Sequence, residues 1–315
     1  MIALTGESGF VGSFLAQKLV EAGYDGVSFC RNAGFKSLFD KAIVSGIDSK
    51  TEYADRLSKV ECIIHVAARA HILNEVALDP LYEFRKVNTC GTLNLAQQAS
   101  KAGVKRFIYI SSIKVNGEKT EAGQAFTAST PPAPSDPYGI SKYEAEQGLM
   151  RIASESGLEV VIIRPPLIYG PGVKANFQSM MKWLVKGIPL PLGAINNSRS
   201  LVSIDNLVSL IIHCIKHPAA ANEIFMVSDD DDVSTTRLLQ LLCQYLEVNT
   251  NLIPISQNFL KICFNMIGRQ DLYIKLCSSL EIDISKTKEL LNWKPEVSMA
   301  STLKSTATDF LKNNK

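Results

Sequence analysis

Short apolar runs alternate with helical stretches in the first half of the chain. Five runs are rich in β-branched residues and bounded by turn residues, which predicts strands: IALT from Ile2, GVSFC from Gly26, CIIHVAA from Cys62, RFIYISS from Arg106 and EVVIIRP from Glu159. The segments VGSFLAQKLVEAG, NTCGTLNLAQQASKAG and KYEAEQGLMRIASESG each end at a glycine, as helices often do. This alternation predicts an α/β fold with a Rossmann-like, doubly wound parallel sheet.

The pattern changes after Arg164, where the turn-rich stretch PPLIYGPG interrupts the alternation. We therefore predict a first domain over residues 1–165 and a smaller mixed C-terminal domain over 166–199 and 229–315. Residues 200–228, a helix followed by a strand, are expected to return to the first domain. The stretch FLKICFNMIG around Cys263 is apolar enough to touch a membrane surface, but a core or lid helix is the preferred interpretation.

Composition narrows the class of protein. The chain has 315 residues, 46% hydrophobic and 20% charged, with a formal net charge of +2 and both signs mixed along its length. This balance does not call for nucleic acid or an anionic membrane as partner. The seven cysteines are scattered without a CxxC pair, and the sequence has no apolar run of membrane-spanning length, so we expect a cytoplasmic protein without stable membrane insertion.

The turn after the first predicted strand carries three glycines. In TGESGFVG, Gly6, Gly9 and Gly12 follow the strand and open a helix. Glycines at this spacing allow a tight turn and a close approach to a pyrophosphate, which the N–H groups at the helix N-terminus attract. The context of strand, turn and helix predicts a dinucleotide site.

The end of the second strand bears on which dinucleotide binds. A chain that binds NAD usually has an acid there for the adenosine ribose, but VSFCRN ends in Cys30 and Arg31. Arg31 is suited to a 2′-phosphate, so the sequence favours NADP over NAD. A solvated surface arginine is the alternative.

A tyrosine and a lysine begin the helix that follows a proline-rich loop. Tyr138 and Lys142 lie at i and i+4, so they share one helix face. A nearby ammonium lowers the pKa of a phenol, and a phenol so tuned moves a proton on or off an alcohol oxygen. Ser111 and Ser112 end the fourth predicted strand, where a hydroxyl can hold the substrate oxygen beside the tyrosine.

With these pieces the chain resembles the extended short-chain dehydrogenase/reductase family, in its nucleotide-sugar epimerase/dehydratase branch. The matching motifs span nearly the whole chain: TGxxGFVG (Thr5 to Gly12), HVAA (His65 to Ala68), VNTCGT (Val87 to Thr92), ISS, YxxxK, RPPLIYGPG, DISK and NWKP. The resemblance implies an NAD(P)-dependent enzyme that acts on a UDP-sugar, with the C-terminal domain binding the nucleotide sugar. It also implies a homodimer formed through two helices beside the sheet.

The resemblance assigns roles to individual positions. Tyr138 is the implied acid/base, Lys142 orients it and contacts the nicotinamide ribose, and Ser112 is the catalytic hydroxyl. The implied cofactor-binding residues are Gly6, Gly9, Phe10, Val11, Gly12, Arg31, Ile47, Ala67, Ala68, Asn88, Ser111, Tyr138, Lys142 and Pro165. The implied substrate-binding residues are Ser112, Lys114, Tyr138, Asn176, Arg199 and Leu280, with Asn176 and Arg199 on the diphosphate.

Three functions stay open at this stage. The first is NADPH-dependent reduction of a UDP-4-keto-6-deoxy-N-acetylhexosamine to UDP-N-acetylquinovosamine for surface polysaccharide, and the second is UDP-sugar 4-epimerisation. Leu280 stands where hexose-restricted 4-epimerases have a bulky tyrosine, and Lys114 to Asn116 replace their usual Thr-Val-Tyr. The third is a non-catalytic dinucleotide sensor, but such proteins generally lose the tyrosine or the lysine. A dehydratase lacks support because Ile113 and Lys114 follow Ser112 in place of two acids.

The sequence does not favour a metal site. His65 and His71 flank VAARA, but His65 is expected in the core of a strand. The acidic run from Asp229 to Asp232 is typical of a solvated loop with a helix cap, for which Ser234 or Asp232 is suited. Neither group has the spacing of metal ligands, so no metal is predicted.

Overall fold

A computed structural model describes residues 1–70, 77–121 and 123–313. Its centre is a seven-stranded sheet, parallel throughout, with the order β3-β2-β1-β4-β5-β6-β9. All five predicted strands are present, and the predicted Rossmann-like fold class is confirmed. The strands of this sheet are β1 Ile2–Thr5, β2 Gly26–Cys30, β3 Asp40–Ile43, β4 Cys62–His65, β5 Arg106–Ile110, β6 Glu159–Arg164 and β9 Glu223–Met226.

Helices cover both faces of this sheet. On one face, α1 (Phe10–Glu21) and α6 (Ile204–Lys216) pack together over the β-branched core. On the other face lie α3 (Thr92–Lys101) and α4 (Pro137–Ser156). A π-helical segment, Arg85–Gly91, joins α2 (Pro80–Phe84) directly to α3. Because strand order reverses between β1 and β4, loops at their carboxyl ends diverge there and leave a crevice for a ligand.

The C-terminal region has a core of its own. A two-stranded parallel sheet joins β7 (Leu167–Tyr169) to β8 (Leu201–Ser203). Around it lie α5 Ala175–Val185, α7 Thr235–Leu246, α8 Gln257–Met266, α9 Gln270–Cys277, α10 Ser285–Leu291 and α11 Met299–Asn313. Residues 204–226 include α6 and β9, and β9 pairs with β6 of the main sheet. The domain boundary at residue 165 stays a prediction.

Helix α8 is apolar on two opposite faces. Leu260 points into the C-terminal core and Phe264 packs partly against it, whereas Phe259, Ile262 and Met266 are 57%, 56% and 75% exposed. The expectation of a core helix therefore holds for only one face. Within the residues that the structure describes, no helix combines the length and the apolar character that a membrane crossing requires.

Candidate active site

The glycine turn after β1 has the backbone geometry that its sequence predicts. Gly6 has a φ of +81°, and a Cβ there would lie 2.7 Å from the Ala67 nitrogen. A Cβ on Gly12 would lie 2.0 Å from the Gly6 carbonyl oxygen, so both positions require glycine. Helix α1 starts at Phe10 after Gly9, which has no side chain to cap it. The N–H groups of its first turn are therefore available to an anion, and the turn fits a pyrophosphate.

The loop after β4 and the π-helical segment form the next part of the crevice. Ala67 and Ala68 follow β4, and Ala67 approaches Gly6 as described. Ile47 packs closely on Gly91, where an added Cβ would lie 2.7 Å from its Cγ2 atom. The buried Asn88 donates a hydrogen bond to Ser141 of α4 at 3.0 Å. Asn88 thus ties the π-helical segment to the helix that carries Tyr138 and Lys142.

A carboxylate that the sequence analysis missed lies beside the end of β2. Arg31 is exposed, but Glu7, from the glycine turn, is buried and accepts hydrogen bonds from Ser37 Oγ at 2.6 Å and Leu38 N at 2.8 Å. Burial and the Glu7 charge raise the pKa of Cys30, opposed by the Lys41 ammonium, so the carboxylate acts electrostatically on the last residue of β2. An acid within the glycine turn was the available signal.

Helix α4 brings Tyr138 to the carboxyl end of β5. Asp136 caps the helix by accepting from Gly139 N at 2.6 Å, and Pro137 occupies its first turn. Ser112, two residues after β5, lies close enough to the Tyr138 hydroxyl to lower its pKa. Lys142, one turn further along α4, donates to the Ile110 carbonyl at 2.6 Å. The structure thus brings together the three residues predicted to be catalytic.

The predicted lowering of the tyrosine pKa is not found in this arrangement. Burial raises the pKa of Tyr138 to about 12, with the Asp136 charge adding and the Ser112 hydrogen bond opposing. Burial lowers the pKa of Lys142 to about 7, and the charge of Glu146 opposes this lowering. The Lys142 ammonium does not lower the Tyr138 pKa, because it donates to a backbone carbonyl and lies 4.1 Å from the centre of the Tyr109 ring. Tyr138 is therefore a neutral phenol at neutral pH.

A buried ion pair supports α4 beneath the site. Arg164, at the end of β6, donates to Glu146 at 2.5 and 3.0 Å and to Asn116 Oδ1 at 3.0 Å. The Ser111 hydroxyl donates to the same carboxylate at 2.5 Å. Ser111, predicted to bind the cofactor, thus has its side-chain hydroxyl on α4. The sequence analysis missed Glu146 and Arg164, although an arginine at the end of a buried strand was a signal for a partner.

The remaining predicted residues lie in several places. The Lys114 ammonium pairs with Asp136 and, at 3.2 Å, with Glu118. The Pro165 carbonyl accepts from Ile113 N at 2.9 Å, so Pro165 adjoins the end of β5. Lys114 therefore lies on the loop that carries Ser112, and Pro165, which follows β6, contacts that loop.

The predicted substrate residues of the C-terminal region lie on separate elements. The half-buried Arg199 forms a backbone bridge with the buried Leu280 and donates from Nη1 to the Ser278 carbonyl at 2.9 Å. Asn176 is exposed in the first turn of α5. The structure therefore brings Arg199 and Leu280 together.

No metal site is found among residues 1–70, 77–121 and 123–313, where no three His, Cys, Asp or Glu side chains are grouped to hold an ion. His65 is a core residue, hydrogen-bonded to Thr5 at 2.7 Å and to Thr92 at 2.9 Å, and burial lowers its pKa to about 3. His71 lies outside the described residues.

The acidic run is not simply a solvated loop. Asp229 is buried and accepts hydrogen bonds from the Tyr169 hydroxyl at 2.6 Å, Ser203 N at 2.8 Å and Asn206 Nδ2 at 2.7 Å. Its carboxylate therefore joins β7, β8 and α6, which corrects the expectation for this residue. Ser234 caps α7, as expected.

The fold and the site define an NAD(P)-dependent enzyme of the extended short-chain dehydrogenase/reductase type. Residues 2–228 match the NAD dependent epimerase/dehydratase family, and the chain belongs to that family. It is 47% identical over 318 residues to UDP-glucose 4-epimerase of Vibrio cholerae, covering 99% of this chain and 96% of the relative.

Two solved structures show the same fold. One is UDP-glucose 4-epimerase of Thermotoga maritima with UDP-glucose, with a TM-score of 0.78 and 24% identity, covering 100% of this chain and 99% of the other. The other is RMD of Pseudomonas aeruginosa complexed with NADPH, with a TM-score of 0.74 and 22% identity over 99% of both chains. At these identities the likeness establishes the architecture alone.

Proposed function

We propose that this enzyme transfers a hydride between a nicotinamide and C4 of a UDP-linked hexose. The observation that carries the proposal is the grouping of Ser112, Tyr138 and Lys142 at the sheet edge that holds the glycine turn. The names of the relatives support the substrate class, because the Vibrio cholerae protein is a UDP-glucose 4-epimerase.

In this proposal each side chain has a separate role in the hydride transfer. The nicotinamide, when bound, donates or accepts the hydride. Tyr138 exchanges a proton with the C4 oxygen, Ser112 holds that oxygen by a hydrogen bond, and Lys142 fixes the distance between α4 and β5. The glycine turn and the first turn of α1 hold the pyrophosphate. Arg199 is our candidate for a charge-assisted hydrogen bond to the UDP diphosphate.

For the specific reaction, we propose net reduction of a UDP-4-keto-6-deoxy-N-acetylhexosamine. Reduction requires a proton donor at the C4 oxygen, and a phenol whose pKa burial raises to about 12 arrives protonated. Leu280 lies against Arg199, and its side chain, smaller than tyrosine, is our candidate for the position that admits an N-acetyl group. The exposed Arg31 is available to the 2′-phosphate of NADPH.

UDP-sugar 4-epimerisation is the second candidate, and two observations favour it. One is the name of the Vibrio cholerae relative. The other is Glu7, whose buried carboxylate beside the end of β2 is suited to an unphosphorylated ribose and repels a 2′-phosphate. Epimerisation uses the same side chains but returns the hydride to the opposite face of C4, so the cofactor is not consumed.

One assay separates the two reactions. The purified enzyme is mixed with the UDP-4-keto sugar and NADPH or NADH, and separately with UDP-glucose or UDP-GlcNAc alone. Loss of reduced-nicotinamide absorbance in proportion to product supports the reductase. Interconversion of the C4 epimers without net cofactor change supports the epimerase. If both mixtures stay unchanged, the proposal of C4 chemistry is wrong.

Cofactor choice is tested by binding, measured from the fluorescence of NADPH and NADH. If Arg31 meets the 2′-phosphate, Arg31→Ala weakens NADPH about tenfold while leaving NADH unchanged. If Glu7 opposes the phosphate, Glu7→Gln strengthens NADPH relative to NADH. Lys101→Met, which removes an exposed cation at the last residue of α3, is the control.

A further inference from the structure

Helix α8 exposes large apolar side chains on the face that points away from the C-terminal core. Phe259, Ile262 and Met266 are spaced i, i+3 and i+7, so they form one stripe along the helix, and Ile267 extends the stripe at its end with 66% exposure. Leu260 and Phe264 already bury the opposite face in the C-terminal core. A helix that is apolar on both faces normally has an apolar partner on each face. We therefore expect a second partner to cover the outer stripe.

The segment that precedes α8 and the segment that pairs with it also expose apolar side chains. Backbone hydrogen bonds join Leu190 to Asn251 at 3.0 Å and Ile253 to Leu190 at 2.8 Å. Ile188 and Ile253, which adjoin these bonds, are 40% and 38% exposed, and α8 begins four residues after Ile253. Trp183, at the end of α5, is also half-exposed, with the Lys186 ammonium 5.8 Å from its ring.

We call the residues Trp183, Ile188, Ile253, Phe259, Ile262, Met266 and Ile267 the α5/α8 surface. Its composition is that of proteins that lie on a bilayer: aliphatic side chains, a tryptophan with both an apolar ring and an N–H group, and lysines close by.

The charge around the α5/α8 surface is positive. Segments 182–190 and 247–277 contain five basic residues, Lys182, Lys186, Lys261, Arg269 and Lys275, and two acidic residues, Glu247 and Asp271. Their net charge is +3 in a chain with a net charge of +2, so the rest of the chain carries −1. Asp271 also pairs with Arg269 at 3.4 Å and with Lys275 at 3.7 Å. Basic residues concentrated around an exposed apolar stripe complement anionic lipid headgroups.

We propose that the α5/α8 surface docks on an anionic membrane, with α8 lying in the plane of the interface. The apolar stripe enters the headgroup boundary, and Lys261, Lys186 and Arg269 attract the lipid phosphates. A second copy of the chain is the less suitable occupant, because it would bring the same positive charge against itself. The contact is peripheral and does not involve a spanning helix.

The test is flotation of the purified full chain with vesicles of phosphatidylcholine, with and without phosphatidylglycerol. We expect binding to the anionic vesicles that weakens as salt rises. Ile262→Asp reduces the ratio of bound to free protein about tenfold or more, because an apolar side chain no longer enters the interface. Lys261→Gln reduces that ratio about fivefold. Both side chains are exposed, so melting temperature and nucleotide binding stay as in the wild type.

Val20→Asp is the matched control, since Val20 is a similarly exposed aliphatic residue on α1 of the sheet domain. This variant should float as the wild type does. The proposal is overturned if the wild type does not bind anionic vesicles, or if Ile262→Asp binds them as well as Val20→Asp. It is also overturned if Ile262→Asp lowers the molecular mass in sedimentation without changing flotation, since a second copy then covers the stripe. None of these readouts depends on the reaction catalysed.

Discussion

The sheet half and the C-terminal half of the molecule hold their predicted residues in different ways. At the sheet, Gly6 packs against Ala67 and Ser112 lies beside Tyr138. Lys142 donates a hydrogen bond to the last carbonyl of β5. In the C-terminal half, Arg199 is anchored by backbone contacts to Leu280, and Asn176 is exposed on α5.

The two groups of predicted residues differ because different structural elements position them. At the sheet edge, neighbouring strands end together, so residues that follow them are brought close by the backbone alone. In the C-terminal half, isolated backbone bridges between loops hold Arg199 and Leu280, and Asn176 lies on a separate helix. We therefore expect changes at the sheet edge to impair chemistry and changes in the C-terminal half to impair binding.

The largest expected effect is on turnover in Tyr138→Phe. Removing the hydroxyl removes the proton donor at the C4 oxygen. The kcat should therefore fall about 10²- to 10⁴-fold, which is the rate enhancement that general acid–base catalysis typically contributes. Steady-state kinetics with the proposed UDP-4-keto sugar and the reduced cofactor measure it, and nucleotide binding should persist. Tyr143→Phe, which removes a phenol on the same helix that accepts from Gln147 at 3.2 Å, is the matched control. Unchanged turnover in Tyr138→Phe would falsify the assigned chemistry.

The next largest effect is on stability in Arg164→Met. This change leaves the Glu146 carboxylate buried without its cation, which costs about 3 to 5 kcal/mol of unfolding free energy. Urea denaturation followed by circular dichroism measures the loss.

Two comparisons show whether burial causes this cost. Arg85→Met breaks the more exposed pair with Glu144, which also involves α4, and should cost under about 1 kcal/mol. Adding Glu146→Leu to Arg164→Met should recover part of the lost stability, because the unpaired charge is then removed. Equal costs in the two arginine variants would contradict a supporting role for the buried pair.

These contrasts also explain how much the sequence predicted. The alternation of apolar runs and helices predicted the parallel sheet, and the glycine spacing predicted the turn, because backbone sterics leave few alternatives there. The proximity of Tyr138, Lys142 and Ser112 could be predicted because each lies within a few residues of a strand end or a helix start.

Pairings between distant segments were not predicted. Glu7 with Ser37, Glu146 with Arg164, and Asp229 with Tyr169 join residues separated by 18 to 60 positions, and no periodicity marks such partners. The charge concentration beside α8 was also hidden, because a whole-chain net charge of +2 averages over both halves. Local patterns predict elements, but the partners of buried charges follow from the packing of those elements.

A smaller effect, on substrate binding, is expected for Arg199→Met. If Arg199 contacts the UDP diphosphate, losing a charge-assisted hydrogen bond of about 1.5 to 3 kcal/mol raises KM about 10- to 100-fold with little change in kcat. Kinetics over a range of UDP-sugar concentrations measure the two constants. Arg237→Met, an exposed arginine on α7, is the control. A fall in kcat with unchanged KM would contradict the division between chemistry at the sheet and binding in the C-terminal half.

The last effect, small for each pH unit, is a pH dependence of stability that Lys142 contributes. Its pKa is lowered to about 7 in the folded chain, whereas a lysine in an unfolded chain titrates at about 10.4. Between these values the unfolded state binds more protons, so stability rises with pH by at most about 1.4 kcal/mol per pH unit. Lys142→Met lacks this contribution, so its stability relative to the wild type should be greatest near the lower pKa and decline as pH rises.

Urea denaturation of the nucleotide-free protein at several pH values measures that difference. Other groups that titrate in this window, including the buried thiols, occur in both proteins and cancel in the comparison. Lys105→Met, at an exposed lysine, should follow the wild type at every pH. A difference between Lys142→Met and the wild type that stays constant across the window would mean that the ammonium keeps its ordinary pKa in the fold. Lys142 would then be a permanent cation on the helix turn after Tyr138, and its charge would oppose the rise that burial causes in the Tyr138 pKa.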